Sequence, residues 1–118
     1  QEDGRDFMRN NIDAWWPIIE EGCEAIVMTA SGCGSTVKEY GALLKDDHIY
    51  AEKAARISAL TKDLVEVLTD LPLEKLTLNA VSNVAFQCPC SLQHAQGLSG
   101  SVETVLTRLG FPIKPVSD

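Results

Sequence analysis

Apolar side chains return at helical spacing in three parts of the chain. Residues 6–19 form the first such stripe, which predicts a helix that Pro17 kinks or brings to its final turn. Residues 50–68 carry a longer stripe with their charged side chains on the opposite face, which predicts one continuous helix. After an irregular helical stretch, residues 102–109 predict a last helix closed by Gly110 and capped by a neighbouring serine.

Short apolar runs between these segments predict strands. Residues 24–29 are almost continuously apolar, which is typical of a strand covered on both faces. Residues 83–87 predict a second strand, and residues 73–78 a brief extended stretch. Two prolines confine a third strand at residues 111–116 to a sheet edge. Because strands alternate with helices, we expect an α/β fold with a parallel sheet of about three strands covered by helices.

A cysteine follows each of the first two strands. Cys33 lies in a turn before a helix that Ser35 or Thr36 can cap, and Cys90 lies before the irregular helical stretch. The first N–H groups of a helix lack internal partners, and its dipole favours a thiolate there. Since the carboxyl ends of parallel strands meet at one edge, we expect Cys33 and Cys90 to lie close together, and one interpretation is that their thiolates bind a metal centre such as an iron-sulfur cluster. The alternative is two buried structural thiols.

The other sulfur and imidazole groups have several interpretations. Cys88 is a further ligand, a redox partner of Cys90 or a packed thiol, whereas Cys23 is expected to pack. His94, one helical turn after Cys90, is a ligand, a hydrogen-bond donor to a cluster sulfur or a packing residue. His48 is expected to be solvated and without a role.

Three segments carry a family resemblance, namely residues 11–17, 29–41 and 88–96. Together they resemble the iron-sulfur subunits of glycolate oxidase, which contain two cysteine-rich CCG modules similar to those of heterodisulfide reductases. Each module of that family begins with a Cys at a strand end, continues through Cys-Cys-Gly and closes with Cys-x-x-Cys.

The resemblance places this chain across a module boundary. Cys33 matches the closing cysteine of the first module and Cys90 the opening cysteine of the second, whereas Ala30 stands where the family has a ligand. The expected division is a module end in residues 1–45, a helical linker in residues 46–80 and a module start in residues 81–118, within a single domain.

The resemblance also implies a function and partners. It implies a 4Fe-4S cluster in the full-length protein, held with Cys33 and Cys90 and absent from this piece alone. Electrons would pass from flavin-containing glycolate oxidase subunits toward quinone, in a cytoplasmic complex associated with the inner face of the membrane. The rival hypothesis is a docking module with vestigial cysteines, and a third is thiol-disulfide chemistry at Cys88 and Cys90.

Composition excludes several other classes of protein. The net charge of -7, with ten scattered basic residues, opposes nucleic-acid binding. No apolar run approaches the ~20 residues needed to cross a bilayer. The sequence also lacks a Ser-His-Asp order, a phosphate-binding loop and a dinucleotide motif, so we do not expect a stand-alone enzyme. A chain of 118 residues that begins with Gln is expected to be part of a larger protein.

Overall fold

The computed structural model describes residues 2–76 and 84–115. The helices are α1 (Glu2–Glu20), α2 (Ser31–Lys38), α3 (Tyr40–Leu43), α4 (Ala51–Leu60), α5 (Leu64–Thr69) and α6 (Ser101–Arg108). The strands are β1 (Ile26–Met28), β2 (Thr61–Asp63), β3 (Val84–Phe86) and β4 (Ile113–Pro115). A 3₁₀ turn covers Leu73–Lys75 and a π-helix covers Ser91–Ala95. The chain divides into two compact units, Gln1–Lys62 and Asp63–Asp118.

The strands pair in two places. β1 pairs with β2, and β3 pairs in parallel with β4, with Phe86 opposite Pro115. The α/β class is confirmed, and Cys33 and Cys90 follow the carboxyl ends of β1 and β3 as predicted. Within residues 2–76 and 84–115 the strands form two two-stranded sheets, whereas the sequence predicted one sheet of about three strands. Pro115 has no N–H to donate, which suits the edge position predicted for the last strand.

The first unit is built on an apolar core in which α1, α2 and α3 contribute side chains around α4. Ile12, Leu44 and Ile57 are its largest fully buried side chains, each of which stabilises the fold by about 1.5–3 kcal/mol. The Trp15 ring stacks on the buried Tyr40 ring, with centroids 6.4 Å apart. The rest of this core comprises Ile19, Val37, Ala54 and Leu60. α1 runs through Pro17 and ends at Glu20, so Pro17 begins the final turn of the helix, one of the two predicted possibilities.

Close packing of α3 on α4 depends on a glycine. A Cβ atom at Gly41 would lie 3.1 Å from Ala55 Cα, which is closer than an ordinary van der Waals contact and would push the α4 backbone away. The Gly41 N–H donates to Ser58 Oγ over 2.8 Å, and that hydroxyl donates to the Val37 carbonyl over 3.2 Å. Ser58 therefore joins α2, α3 and α4.

The single helix predicted over residues 50–68 is wrong. α4 ends at Leu60, and α5 begins at Leu64 after the short strand β2. Asp63 adopts an extended conformation, its carboxylate accepts from the Val65 N–H, and Glu66 accepts from the Asp63 N–H. This capping box starts a new helix within a stripe whose period alone predicts continuity.

Four other local predictions are corrected. α2 begins at Ser31, so Ser35 and Thr36 lie inside the helix, where their hydroxyls donate to the Gly32 carbonyl instead of capping a helix. Val27 is 43% exposed, so β1 is not covered on both faces by the described residues. Residues 73–78 were predicted to be extended, but Leu73–Lys75 form the 3₁₀ turn. The end of that stretch, from residue 77, lies outside the described residues. Gly100, with φ of +81°, occupies the N-cap position of α6, where Ser99 or Ser101 was predicted.

The second unit has a smaller core and a charged clamp on its surface. Its apolar core comprises the buried side chains of Val65, Leu73, Leu92 and Val105. Arg108 of α6 donates to the Glu74 carboxylate over 2.7 Å and to the carbonyls of Thr69 and Leu71, also over 2.7 Å. The hydrogen bond from Arg108 lowers the pKa of Glu74 from 4.5 to about 2. The Arg108 guanidinium thus satisfies the carbonyl of Thr69, the last residue of α5, and that of Leu71 just beyond the helix, while it pairs with the 3₁₀ turn.

Gly41→Val should lower the free energy of unfolding by about 1–3 kcal/mol, because the added methyl groups overpack the α3–α4 contact. Gly32→Val is the control, since a Cβ at Gly32 meets nothing within 4 Å and the change should stay within about 0.5 kcal/mol. Urea unfolding of both variants measures the difference. Equal losses would disprove the close-packing argument.

Stability should depend on the ionisation of Glu74 at acid pH. The pKa of Glu74 is lowered on folding, so its contribution is complete above pH 4.5 and is lost as the pH falls toward about 2. In Glu74→Gln the unfolding midpoint should fall less steeply with pH in this range. High salt should weaken the pH dependence of the native chain, because the Glu74 carboxylate is exposed. If the variant showed the same loss of stability at acid pH as the native chain, the charge of the Glu74 carboxylate would not contribute to the pairing with Arg108.

Candidate functional site

Cys33 lies on the first turn of α2, five residues after the end of β1. Ala30 precedes α2 in an extended conformation and no side chain caps it, while the Gly34 N–H bonds to the Ala30 carbonyl over 2.9 Å. The N–H groups of Ser31, Gly32 and Cys33 therefore come before the first intrahelical bond. The Cys33 thiol is exposed. It can serve as a ligand from the positive end of the helix.

Cys90 immediately precedes the π-helix in the second unit. It has helical dihedral angles and an exposed thiol. The preceding Pro89 carbonyl accepts from the N–H groups of Leu92 and Gln93, which fixes this turn, and Leu92 is buried. Buried Leu92 anchors the helix while the thiol two residues earlier stays accessible.

The sequence did not reveal what holds the far end of this π-helix. Gln96 donates from its side-chain nitrogen to Asp63 Oδ2 over 3.4 Å, and Asp63 is buried as the N-cap of α5. Gly97, with φ of +66°, reverses the backbone so that the Leu98 N–H reaches the Leu92 carbonyl over 2.9 Å. The spacing Asp63-x-x-Glu66 is that of a capping box, so the sequence contained a pattern that could have identified Asp63 as an N-cap.

The two remaining cysteines are less accessible. Cys23 donates its thiol to the Ala25 carbonyl over 3.2 Å and packs against the first core, as predicted. Cys88 is half-buried and packs against the second core, with its sulfur 3.8 Å from the Pro89 carbonyl oxygen. These positions favour packing for Cys23 and place Cys88 between the core and the Cys90 turn.

Both histidines are exposed. His94 lies on the π-helix, four residues after Cys90. His48 lines an open cavity of about 500 Å³ in the first unit, next to Arg9 and Asp47. Arg9 donates to Asp47 over 2.8 Å, and this hydrogen bond is the main cause that lowers the pKa of Asp47. The cavity is lined by two arginines, Arg5 and Arg9, and two aspartates, Asp46 and Asp47, so it carries little net charge with which to select an ion.

The described residues do not form a metal site by themselves. In residues 2–76 and 84–115, no group of three or more His, Cys, Asp or Glu side chains could hold a metal ion. Cys33 belongs to the first unit and Cys90 to the second. Their convergence on one centre therefore stays a prediction. Among the helices of this described part, none is long and apolar enough to cross a membrane.

Two curated proteins are similar to this chain. Over all 118 residues it is 59% identical to the glycolate oxidase iron-sulfur subunit of Escherichia coli K12, and it covers 29% of that protein. Over 98 residues, 81% of the chain, it is 32% identical to the probable glycolate oxidase iron-sulfur subunit of Bacillus subtilis 168, of which it covers 21%. The chain thus spans less than a third of either relative. No family model and no solved structure matches it.

The exposed thiols should react first with an alkylating reagent. In the native chain we expect modification of Cys33 and Cys90 ahead of Cys23 and Cys88, because the latter two are half-buried against the cores. Peptide mass spectrometry after short exposures to iodoacetamide measures the order. Denaturant should remove the difference. Cys23 reacting as fast as Cys33 in the native chain would contradict the structure.

Proposed function

Because the chain belongs to the family of glycolate oxidase iron-sulfur subunits, we propose that it is a segment of an electron-transfer subunit. In this proposal, the full-length protein receives electrons from a flavin-containing subunit that oxidises glycolate and passes them toward quinone. The observation that carries the proposal is 59% identity along the whole chain to the E. coli subunit. The activity belongs to the complete protein, since the segment spans 29% of that relative.

The donors on this chain suit part of an iron-sulfur site. Such clusters are held by cysteine thiolates, and the exposed thiols of Cys33 and Cys90 both lie at the beginning of a helical turn. The described residues hold no complete ligand set, so we infer that further cysteines outside this segment complete it. A bound cluster, of the 4Fe-4S type in this proposal, would supply reversible one-electron transfer.

The chain's own residues would hold and tune that group. Cys33 and Cys90 would each present one thiolate, and the N–H groups at the start of α2 favour the negative charge of a ligated cluster. His94, exposed on the π-helix, would act as a hydrogen-bond donor near Cys90, and Cys88 would lie beside that turn. Cys23 would take no part because its thiol packs against the first core.

The proposed partners follow from the subunit's place in a complex. They are flavin-containing subunits and the remaining modules of the same polypeptide. The complex would work on the cytoplasmic side of the membrane and reach quinone by peripheral association. A docking module with vestigial cysteines would keep these partners but lose the cluster.

Replacing Cys90 or Cys33 by Ser in the full-length complex should reduce iron content and quinone reduction by at least about tenfold, since a hydroxyl is a poor cluster ligand. Reduction of the flavin by glycolate should persist, because that chemistry belongs to the flavin pocket. Iron analysis, flavin absorbance and quinone reduction measure the three steps. Cys23→Ser is the matched control and should behave as the native protein.

The pattern of losses separates the alternatives. Unchanged iron and quinone reduction in every variant would favour a docking module. Loss of activity with normal iron in Cys88→Ser and Cys90→Ser would point to thiol redox chemistry. His94→Ala should cause a smaller loss of quinone reduction than Cys90→Ser, as expected of a residue that hydrogen-bonds to the cluster.

A further inference from the structure

The residues that follow Cys90 wind as a π-helix, which is a rare conformation. The π-helix covers Ser91–Ala95, and the Gln96 N–H bonds to the Ser91 carbonyl over 3.0 Å. Such turns occur mostly as single-turn interruptions and are frequent at functional sites. Because α-helical winding is the usual choice of the backbone, contacts outside the turn must hold the wider winding. Cys90 immediately precedes this turn, so the winding sets where its thiol points.

Two side chains attach the π-helix to the rest of the second unit. Near its beginning, Leu92 is buried and shares the second core with Val65. At its end, the Gln96 side-chain nitrogen donates to Asp63 Oδ2 over 3.4 Å. The other Asp63 oxygen accepts from the Val65 N–H over 3.1 Å. Both attachments therefore lead to the beginning of α5, where Asp63 and Val65 lie two residues apart.

Asp63 is a fixed point to which Gln96 is attached. Asp63 is 5% exposed, and the capping box with Glu66 holds its backbone and its carboxylate. A carboxylate has two acceptor oxygens, so it can cap α5 with one and accept from Gln96 with the other. Hydrogen bonds to a carboxylate are also stronger than those between neutral groups. Gln96 thus fixes the end of the π-helix against a buried partner.

We propose that Gln96 is a positioning residue for Cys90. Its hydrogen bond to Asp63 holds the π-helical winding, and this winding holds the Cys90 thiolate in the direction in which it binds the iron-sulfur cluster of the full-length protein. In this role Gln96 contacts Asp63 and not the cluster. The inference rests on the proposed function, which makes Cys90 a ligand, and it adds the side chain that orients this ligand.

Exchanging the donor and the acceptor tests the contact in the full-length subunit. Gln96→Glu places two carboxylates against each other, and it should speed the removal of iron by a chelator at least about tenfold. The double variant Gln96→Glu with Asp63→Asn should return to within about twofold of the native rate. It restores a hydrogen bond, now donated from position 63, and keeps an oxygen there to cap α5.

Gln93→Glu is the matched control for this charge change. Gln93 lies on the same π-helix, and its side chain makes no hydrogen bond to the residues that the structure describes. Its substitution introduces the same charge at the same distance in sequence from the core residue Leu92 as a neighbouring position allows. Iron removal from this variant should proceed at the native rate.

A spectroscopic measurement separates orientation from a general loss of stability. The electron paramagnetic resonance spectrum of the reduced cluster should change in Gln96→Glu and return to the native form in the double variant, because it responds to the arrangement of the ligands. Val105→Ala truncates a buried side chain of the same core, so it should lower Tm without changing this spectrum.

Native iron removal and a native spectrum in Gln96→Glu would overturn the proposal. A double variant that behaves like Gln96→Glu would also overturn it. Cys90→Ser distinguishes this failure from that of the proposed function. If Cys90→Ser loses its iron while Gln96→Glu behaves as native, only the positioning role fails. If Cys90→Ser keeps its iron, the ligand assignment fails and the positioning role fails with it.

Discussion

The capping box at Asp63 is the interaction on which the layout of the chain depends. The Asp63 carboxylate accepts from the Val65 N–H, and the Glu66 carboxylate accepts from the Asp63 N–H. A new helix therefore begins where the apolar stripe would otherwise continue. An N-cap of this kind is worth about 1 kcal/mol. The same side chain also accepts from Gln96, at the end of the π-helix that follows Cys90. One buried carboxylate therefore starts the second unit and supports the turn that carries a candidate ligand.

The four cysteines have two kinds of environment, half-buried for Cys23 and Cys88 and exposed for Cys33 and Cys90. Cys23 and Cys88 contact the two cores, where a thiol behaves as a small apolar side chain. Cys33 and Cys90 are exposed at the beginnings of helical turns, each held by a backbone that is fixed nearby. A thiol in such a position is accessible to a ligand, and the fixed backbone holds its Cα–Cβ bond in one direction. Proximity between the two exposed thiols stays a prediction, which the complete protein would test.

The sequence predicted well what depends on local pattern. The strand at residues 84–86 and the turns carrying Cys33 and Cys90 were found because apolar runs and helical spacing are local signals. The break near Asp63 was missed because the stripe from residues 50 to 68 keeps its period while its side chains enter two different cores. Sheet partners were missed as well, since three-residue strands leave too little pattern to specify their neighbours.

The π-helix after Cys90 has a consequence for insertions and deletions. Its Gln96 N–H bonds to the Ser91 carbonyl five residues back, so the turn contains one residue more than an α-helical turn. Deleting one residue there would let the segment wind as an α-helix without turning Cys90 relative to Leu98, because the wider turn already accommodates the extra residue. Winding the same residues as an α-helix without a deletion would instead add about 100° between Cys90 and Leu98, the rotation of one residue. The thiol of Cys90 would then face another direction while the buried side chains kept theirs. The width of this single turn fixes the direction of the sulfur, so a one-residue deletion should be tolerated better here than a substitution that enforces α-helical winding.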